Sequence, residues 1–149
     1  MSFLRVIAAF FAAVLAMMVL GVTAQSVFVM LDLGAVGAEI GPGDALGMIA
    51  ADITGFGPLY AAFILIGFVI AFLCAALVGR FLPVPRWMVF AAAGAICMMV
   101  MLTLMKEVFF GVQLIAGARS MAGFLTQALM GAVSAIVFTR LTPGPKSKT

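Results

Sequence analysis

The chain has 149 residues, of which 66% are hydrophobic and 9% charged, and its formal net charge is +3. A water-soluble fold of this length cannot bury two thirds of its residues, because a small domain has too much surface for its volume. The composition therefore excludes a soluble protein and places residues 1–149 in the lipid bilayer as one transmembrane domain. The basic residues are assigned to the flanks of membrane spans, and no nucleic-acid partner is predicted.

Four apolar segments are long enough to cross the bilayer, which takes about 20 helical residues. They must be helical because backbone polar groups find no water in hydrocarbon. The predicted fold class is all-α, an integral membrane four-helix bundle with spans at residues 3–31, 58–82, 87–105 and 121–141. An outer loop covers residues 32–57 and a basic tail covers residues 142–149. The short Pro83-Val84-Pro85 connection predicts an antiparallel hairpin of the second and third spans.

A faint internal duplication accompanies these spans. Arg5 precedes Met17-Met18-Val19 by the same interval as Arg86 precedes Met98-Met99-Val100. At the same offset, the matching pairs are Val27-Phe28 with Val108-Phe109, Leu33 with Leu114 and Ala35 with Ala116. Residues 80–85 and 140–145 share the pattern R-x-x-P-x-P. We predict two duplicated antiparallel hairpins; the alternative is convergent composition, since many membrane helices start with arginine and continue in small and apolar residues.

The charges predict the orientation of the spans. One side carries the basic residues Arg5, Arg80, Arg86, Arg140, Lys146 and Lys148. The other side carries Lys106, Arg119 and all five acidic residues, which are Asp32, Glu39, Asp44, Asp52 and Glu107. By the positive-inside rule both termini are cytoplasmic, and we expect a bacterial inner (plasma) membrane protein, N-in/C-in. Residues 1–24 also resemble a cleavable signal peptide. An uncleaved anchor is favoured, because the apolar run resumes at Val27 and the duplication extends past the cleavage site.

The outer loop is rich in glycine, which favours turns. Within it, Asp44 is predicted to cap a short helix from Ala45 to Ile53 that ends at Gly55. This helix is expected to lie on the membrane surface, with a lid or docking element as the alternative. The spacing of the loop carboxylates lacks the alternating pattern of a calcium loop.

A polar cluster near the outer face is the main candidate site, because ionisable residues within spans usually mark a pathway or binding site. Its predicted members are Gln25, Ser26, Lys106, Glu107, Arg119 and Gln127. Two simpler explanations remain: Lys106 and Glu107 reach the membrane surface by extending their side chains, and the others hydrogen-bond between helices.

Small residues at four-residue spacing predict close helix packing. They are Ala8, Ala12 and Ala16 in the first span, with Ala93 and Cys97 in the third. We expect the first and third spans to touch through these positions, around a pseudo-two-fold axis along the membrane normal; homodimerisation through the same stripe is the alternative.

The remaining residue types point away from catalysis. The chain has no histidine, and its two cysteines lie in apolar segments without C-x-x-C spacing. The segment Met101-x-x-x-Met105 resembles the M-x-x-x-M of copper-transporter membrane helices, whose thioethers suit Cu(I). The Met-rich extracellular segments of that family are absent here, so packing is the preferred explanation. No catalytic residue, metal site or cofactor is predicted.

The sequence therefore favours a non-enzymatic multi-pass membrane protein. The leading hypothesis is a small accessory or assembly subunit of a larger membrane complex, with a protein partner or a homo-oligomer and the lipid bilayer around it. The alternative is a small self-assembling transporter or channel that uses the polar cluster. A membrane enzyme acting on a lipid or quinone is the third possibility.

Overall fold

The computed structural model describes residues 3–108 and 118–142. The described residues form five helices: α1 (Phe3–Ala35), α2 (Pro42–Gly55), α3 (Gly57–Val78), α4 (Arg86–Val108) and α5 (Met121–Leu141). Several predicted features lie outside the described residues. They are the tail after Thr142 with Lys146 and Lys148, the second R-x-x-P-x-P prolines, and the duplicated positions Phe109, Leu114 and Ala116.

Four of these helices are long and apolar enough to cross a membrane. They contain 21 to 33 residues, with mean hydropathies from 1.7 to 2.9 over their most apolar windows. The prediction of an all-helical chain with four membrane-length helices is confirmed, and the chain fits a multi-pass membrane protein.

The helix ends differ from the predicted spans for local reasons. α1 continues to Ala35 and stops where Gly37 adopts a φ of 90°, a conformation that glycine accepts without strain. At 1.5 Å per residue this helix is about 50 Å long, so it extends beyond the roughly 30 Å hydrocarbon layer. α3 ends at Val78, earlier than expected, because the chain tightens into i→i−3 turns at Arg80 and Phe81.

The loop helix α2 is longer than predicted and is capped differently. Pro42 stands in its first turn, where a missing N–H costs nothing. Asp44 lies inside that turn and accepts a hydrogen bond from the Gly41 N–H at 3.3 Å, so the prediction that Asp44 precedes the helix is wrong. α2 packs against α1 and α3 without burying any of its own residues.

Each of the four long helices makes extensive contacts with two of the others. α5 packs extensively against α4 and α1, and α3 also packs against α4 and α1. The expected packing of the first span on the third is not among these extensive contacts. Both helices instead meet α5, most closely where Gly94 of α4 faces Gly131.

The buried stripes lie one residue away from the predicted ones. In α1 the buried positions include Ala9, Ala13 and Met17, whereas Ala8 is exposed and Ala12 and Ala16 are half-buried. In α4 the buried positions include Gly94 and Met98, whereas Ala93 and Cys97 are half-buried. Adjacent alanines give two stripes of equal spacing, and spacing alone does not say which one faces the protein.

Aromatic rings and an arginine fill the core at the end where α4 begins. The Phe72 and Phe138 rings lie 4.7 Å apart, and Phe90 stacks on Phe138 at 5.4 Å. The Arg86 guanidinium lies over both Phe90 and Phe138, at 5.1 and 5.9 Å from the ring centroids. It also donates to the Thr142 carbonyl and hydroxyl oxygens, which ties the start of α4 to the end of α5.

Candidate functional site

A hydrogen-bonded group of buried polar atoms joins three helices, α1, α3 and α5. Gln127 of α5 is almost completely buried, and its amide Nε2 donates to the Gly21 carbonyl of α1 at 2.8 Å. Its Oε1 accepts from the Tyr60 hydroxyl of α3 at 3.0 Å. Gly21 allows this approach, because a Cβ there would come within 3.0 Å of both partner side chains. We call Gln127, Tyr60 and Gly21 the glutamine junction.

A second polar contact fastens the loop helix to α1. The buried Ser26 hydroxyl lies 2.7 Å from Asp52 Oδ2 and 3.0 Å from the Val22 carbonyl oxygen, both of which are acceptors. Asp52 is half-buried and lies on the inner side of α2, near Ile53, which packs against the core. This contact holds α2 against the C-terminal part of α1, and α2 also packs on α3.

The predicted polar cluster is divided in the structure. Ser26 and Gln127 are buried, but each has its own set of hydrogen-bond partners. Gln25 is half-buried, whereas Lys106, Glu107 and Arg119 are exposed. The structure therefore places Ser26 and Gln127 between helices and the three charged side chains on the exterior.

These contacts leave the buried polar atoms satisfied. Within residues 3–108 and 118–142, every buried side-chain nitrogen or oxygen has a hydrogen-bond partner. No cluster of three or more metal-ligating carboxylates or thiols occurs in the same ranges. In the copper-transporter-like segment, Met105 is buried in the core and the partly buried Met101 packs against that core. The arrangement is suited to holding helices together.

An open groove runs between α3 and α4 on the outside of the protein. It encloses about 830 Å³ and is lined entirely by apolar side chains and the two cysteines. Ile70, which is 60% exposed, lies on its α3 wall, and Ile96, 58% exposed, lies on its α4 wall. In a membrane this groove faces lipid, and its volume lies within the range of small-molecule sites.

Three features were missed at the sequence level. Tyr60 is the only tyrosine and a rare polar group in the second span, which was the available signal for a partner of Gln127. Asp52 gave no signal beyond its charge, because its pairing with Ser26 depends on how α2 folds back. The groove depends on the spacing between two helices, which composition does not encode.

The helices and buried polar contacts together fit one class, a multi-pass integral membrane protein whose spans are joined by hydrogen bonds. Comparison with known proteins gives no match to a family model, to a curated protein or to a solved structure.

Proposed function

We propose that this chain is a non-enzymatic subunit of a larger membrane complex, in which it has an accessory or assembly role. The observation that carries the proposal is the separation of polar groups: the buried ones are hydrogen-bonded within the protein, whereas the three charged members of the predicted cluster are exposed. Lys106, Glu107 and Arg119 then form an outer patch available to a protein partner. Charged groups around such a contact favour specificity and orientation.

The same proposal includes the membrane arrangement. The chain forms a four-helix bundle with both termini in the cytoplasm of a bacterium, since Arg5, Arg80 and Arg140 are exposed at one end and the loop carboxylates lie at the other. Burial supports the duplication: Ala9, Ala13, Met17 and Gly21 of α1 are buried, and so are their equivalents Phe90, Gly94, Met98 and Leu102 of α4.

A transport function gains less support. A pathway through one copy needs polar side chains that exchange partners with a substrate or ion. Here Gln127 binds both α1 and α3, and Ser26 binds α2, so their polar atoms serve helix contacts. Transport would therefore require a site between copies.

The test is native mass spectrometry of a tagged chain extracted from its own membrane in mild detergent. A reproducible heteromeric mass is expected. Replacing both Lys106 with Met and Glu107 with Gln should reduce the bound partner, because it removes two exposed outer charges. Arg140→Gln, an exposed change at the opposite end, is the matched control and should retain the partner.

A homo-oligomer without any other protein would overturn the accessory role and direct attention to transport at an interface between copies. If the double variant at Lys106 and Glu107 retained as much partner as the unaltered chain, the contact would lie elsewhere and the outer patch would be refuted.

A further inference from the structure

The α3–α4 groove has two halves of different character. In the half nearer the connection between the helices, its walls include the small side chains Ala71, Cys74, Ala75, Ala92 and Ala93. The end at the connection itself is bounded by Val78, Leu82, Val84, Met88 and Val89. Toward the opposite end the walls carry bulky ones, among them Phe63, Ile66 and Leu104. Small side chains leave depth between two helices, so the first half offers the recess. α4 lines the groove from Met88 to Met105, about 25 Å at 1.5 Å per residue, which is most of the hydrocarbon thickness.

The charges at the two ends differ as well. Arg80 is exposed at the mouth of the recess, between the lining residues Val78 and Leu82. Arg86, on the other side of the connection, points toward α5. It donates a hydrogen bond to Thr142, and its guanidinium lies over two phenylalanine rings. At the far end the exposed Lys106 is followed by the exposed Glu107, so the two residues together carry no net charge. Among the described residues, only the recess has both features. Its walls include small apolar side chains, and at headgroup level it has an exposed basic side chain with no acidic residue next to it in the chain.

We propose that this recess binds an anionic phospholipid of the cytoplasmic leaflet, with acyl chain in the groove and phosphate at Arg80. The wholly apolar wall suits hydrocarbon, and a basic side chain near the membrane surface attracts an acidic headgroup by about 1 kcal/mol. Charge complementarity at one end favours a lipid over a partner helix, which needs no headgroup-level cation. The inference rests on the membrane orientation proposed above and is independent of the accessory role.

The experiment uses the purified full chain in detergent with equal amounts of phosphatidylglycerol and phosphatidylcholine, and counts bound lipids by native mass spectrometry. The chain should retain phosphatidylglycerol preferentially. Arg80→Gln should weaken that preference about fivefold, the ratio that corresponds to one basic contact. Arg140→Gln, at the same end but on α5, should leave it unchanged.

A second pair of variants tests the groove itself. Ala92→Trp fills the recess from an exposed position and should abolish retention, whereas Ala76→Trp, exposed on α3 outside the groove, should not. Crosslinking of the unaltered chain to a phosphatidylglycerol with a photoreactive acyl chain should label α3 and α4 peptides, and this readout does not depend on variant folding.

Equal loss of preference in Arg80→Gln and Arg140→Gln would overturn the proposal, since it would show general attraction to a basic surface. Labels spread evenly over α1 and α5 would do the same. A dimer mass that is lost in Ala92→Trp, with no retained lipid, would assign the groove to a second copy. The partner-binding experiment measures the mass of a protein complex, whereas this one measures bound lipid. Either proposal can therefore be refuted while the other stands.

Discussion

Gln127 of α5 is hydrogen-bonded to two other helices, α1 and α3. Its amide is almost completely buried and uses both ends, donating to the α1 backbone and accepting from Tyr60 of α3. A hydrogen bond between helices in a membrane contributes about 0.6 kcal/mol on average, because the separated helices also find partners. Leaving a buried acceptor unpaired costs about 1–3 kcal/mol.

The change Tyr60→Phe tests this residue. It removes the donor to Gln127 while keeping the ring that stacks on Phe56 at 5.4 Å. We expect the free energy of unfolding to fall by about 1 kcal/mol, measured by denaturant titration in detergent micelles. Thr103→Val is the control, because its exposed hydroxyl bonds only to its own helix and its loss should have little effect. Equal stability of Tyr60→Phe and the unaltered protein would show that the junction adds nothing.

Sequence alone could identify Gln127 and Ser26 as unusual, because polar side chains in apolar helices need partners. It could not name the partners, since Tyr60 lies 67 residues from Gln127 and Asp52 lies 26 residues from Ser26. Nor could it assign Lys106 and Glu107 to the exterior, since helical spacing gives neighbours but not the direction of the protein core.

Among the helix pairs, α4 and α5 share the most extensive contact. Gly94 and Gly131 face each other, and a Cβ built on Gly131 would lie 2.5 Å from the Gly94 carbonyl oxygen. The two backbones thus approach as closely as small residues permit. The Gly94 peptide cannot move aside without shifting the whole helix.

Gly131→Ala is therefore expected to destabilise the protein by about 1–3 kcal/mol, the usual cost of overpacking. The measurement is the melting temperature in detergent. Gly47→Ala provides the same chemical change in α2, where a new Cβ meets nothing within 4 Å. That control should be neutral or gain up to about 1 kcal/mol from helix propensity. A Gly131→Ala protein that melts at the original temperature would contradict the close approach.

At the scale of the whole molecule, the charges predict that Glu39 and Pro83 lie on opposite sides of the membrane. Both positions are exposed. In a background with Cys74→Ala and Cys97→Ala, we expect Glu39→Cys to react with a membrane-impermeant maleimide in intact cells. Pro83→Cys should react only after permeabilisation. Labelling of Pro83→Cys in intact cells would reverse the orientation.

Hydropathy and length were sufficient to predict four membrane-length helices, and the fourth span coincides with α5. They were not sufficient to predict neighbours. Ala8 and Ala9 begin stripes of the same spacing on adjacent faces, so the choice depends on where α5 lies. That position is set by contacts between distant parts of the chain, such as Arg5 Nε donating to the Leu141 carbonyl at 3.1 Å.

The pairing of α1 with α5 also has a consequence for biogenesis. Gln127 and Gly21, which join these helices, are separated by 106 residues. At a synthesis rate of roughly 5–20 residues per second, the ribosome makes Gln127 about 5–20 s after Gly21. During that interval α3 is available to pack on α1. The helix α5, with which α1 makes its most extensive contact, has not yet been synthesised. The first helix must therefore wait in the lipid, or beside an insertion factor, until the last one arrives.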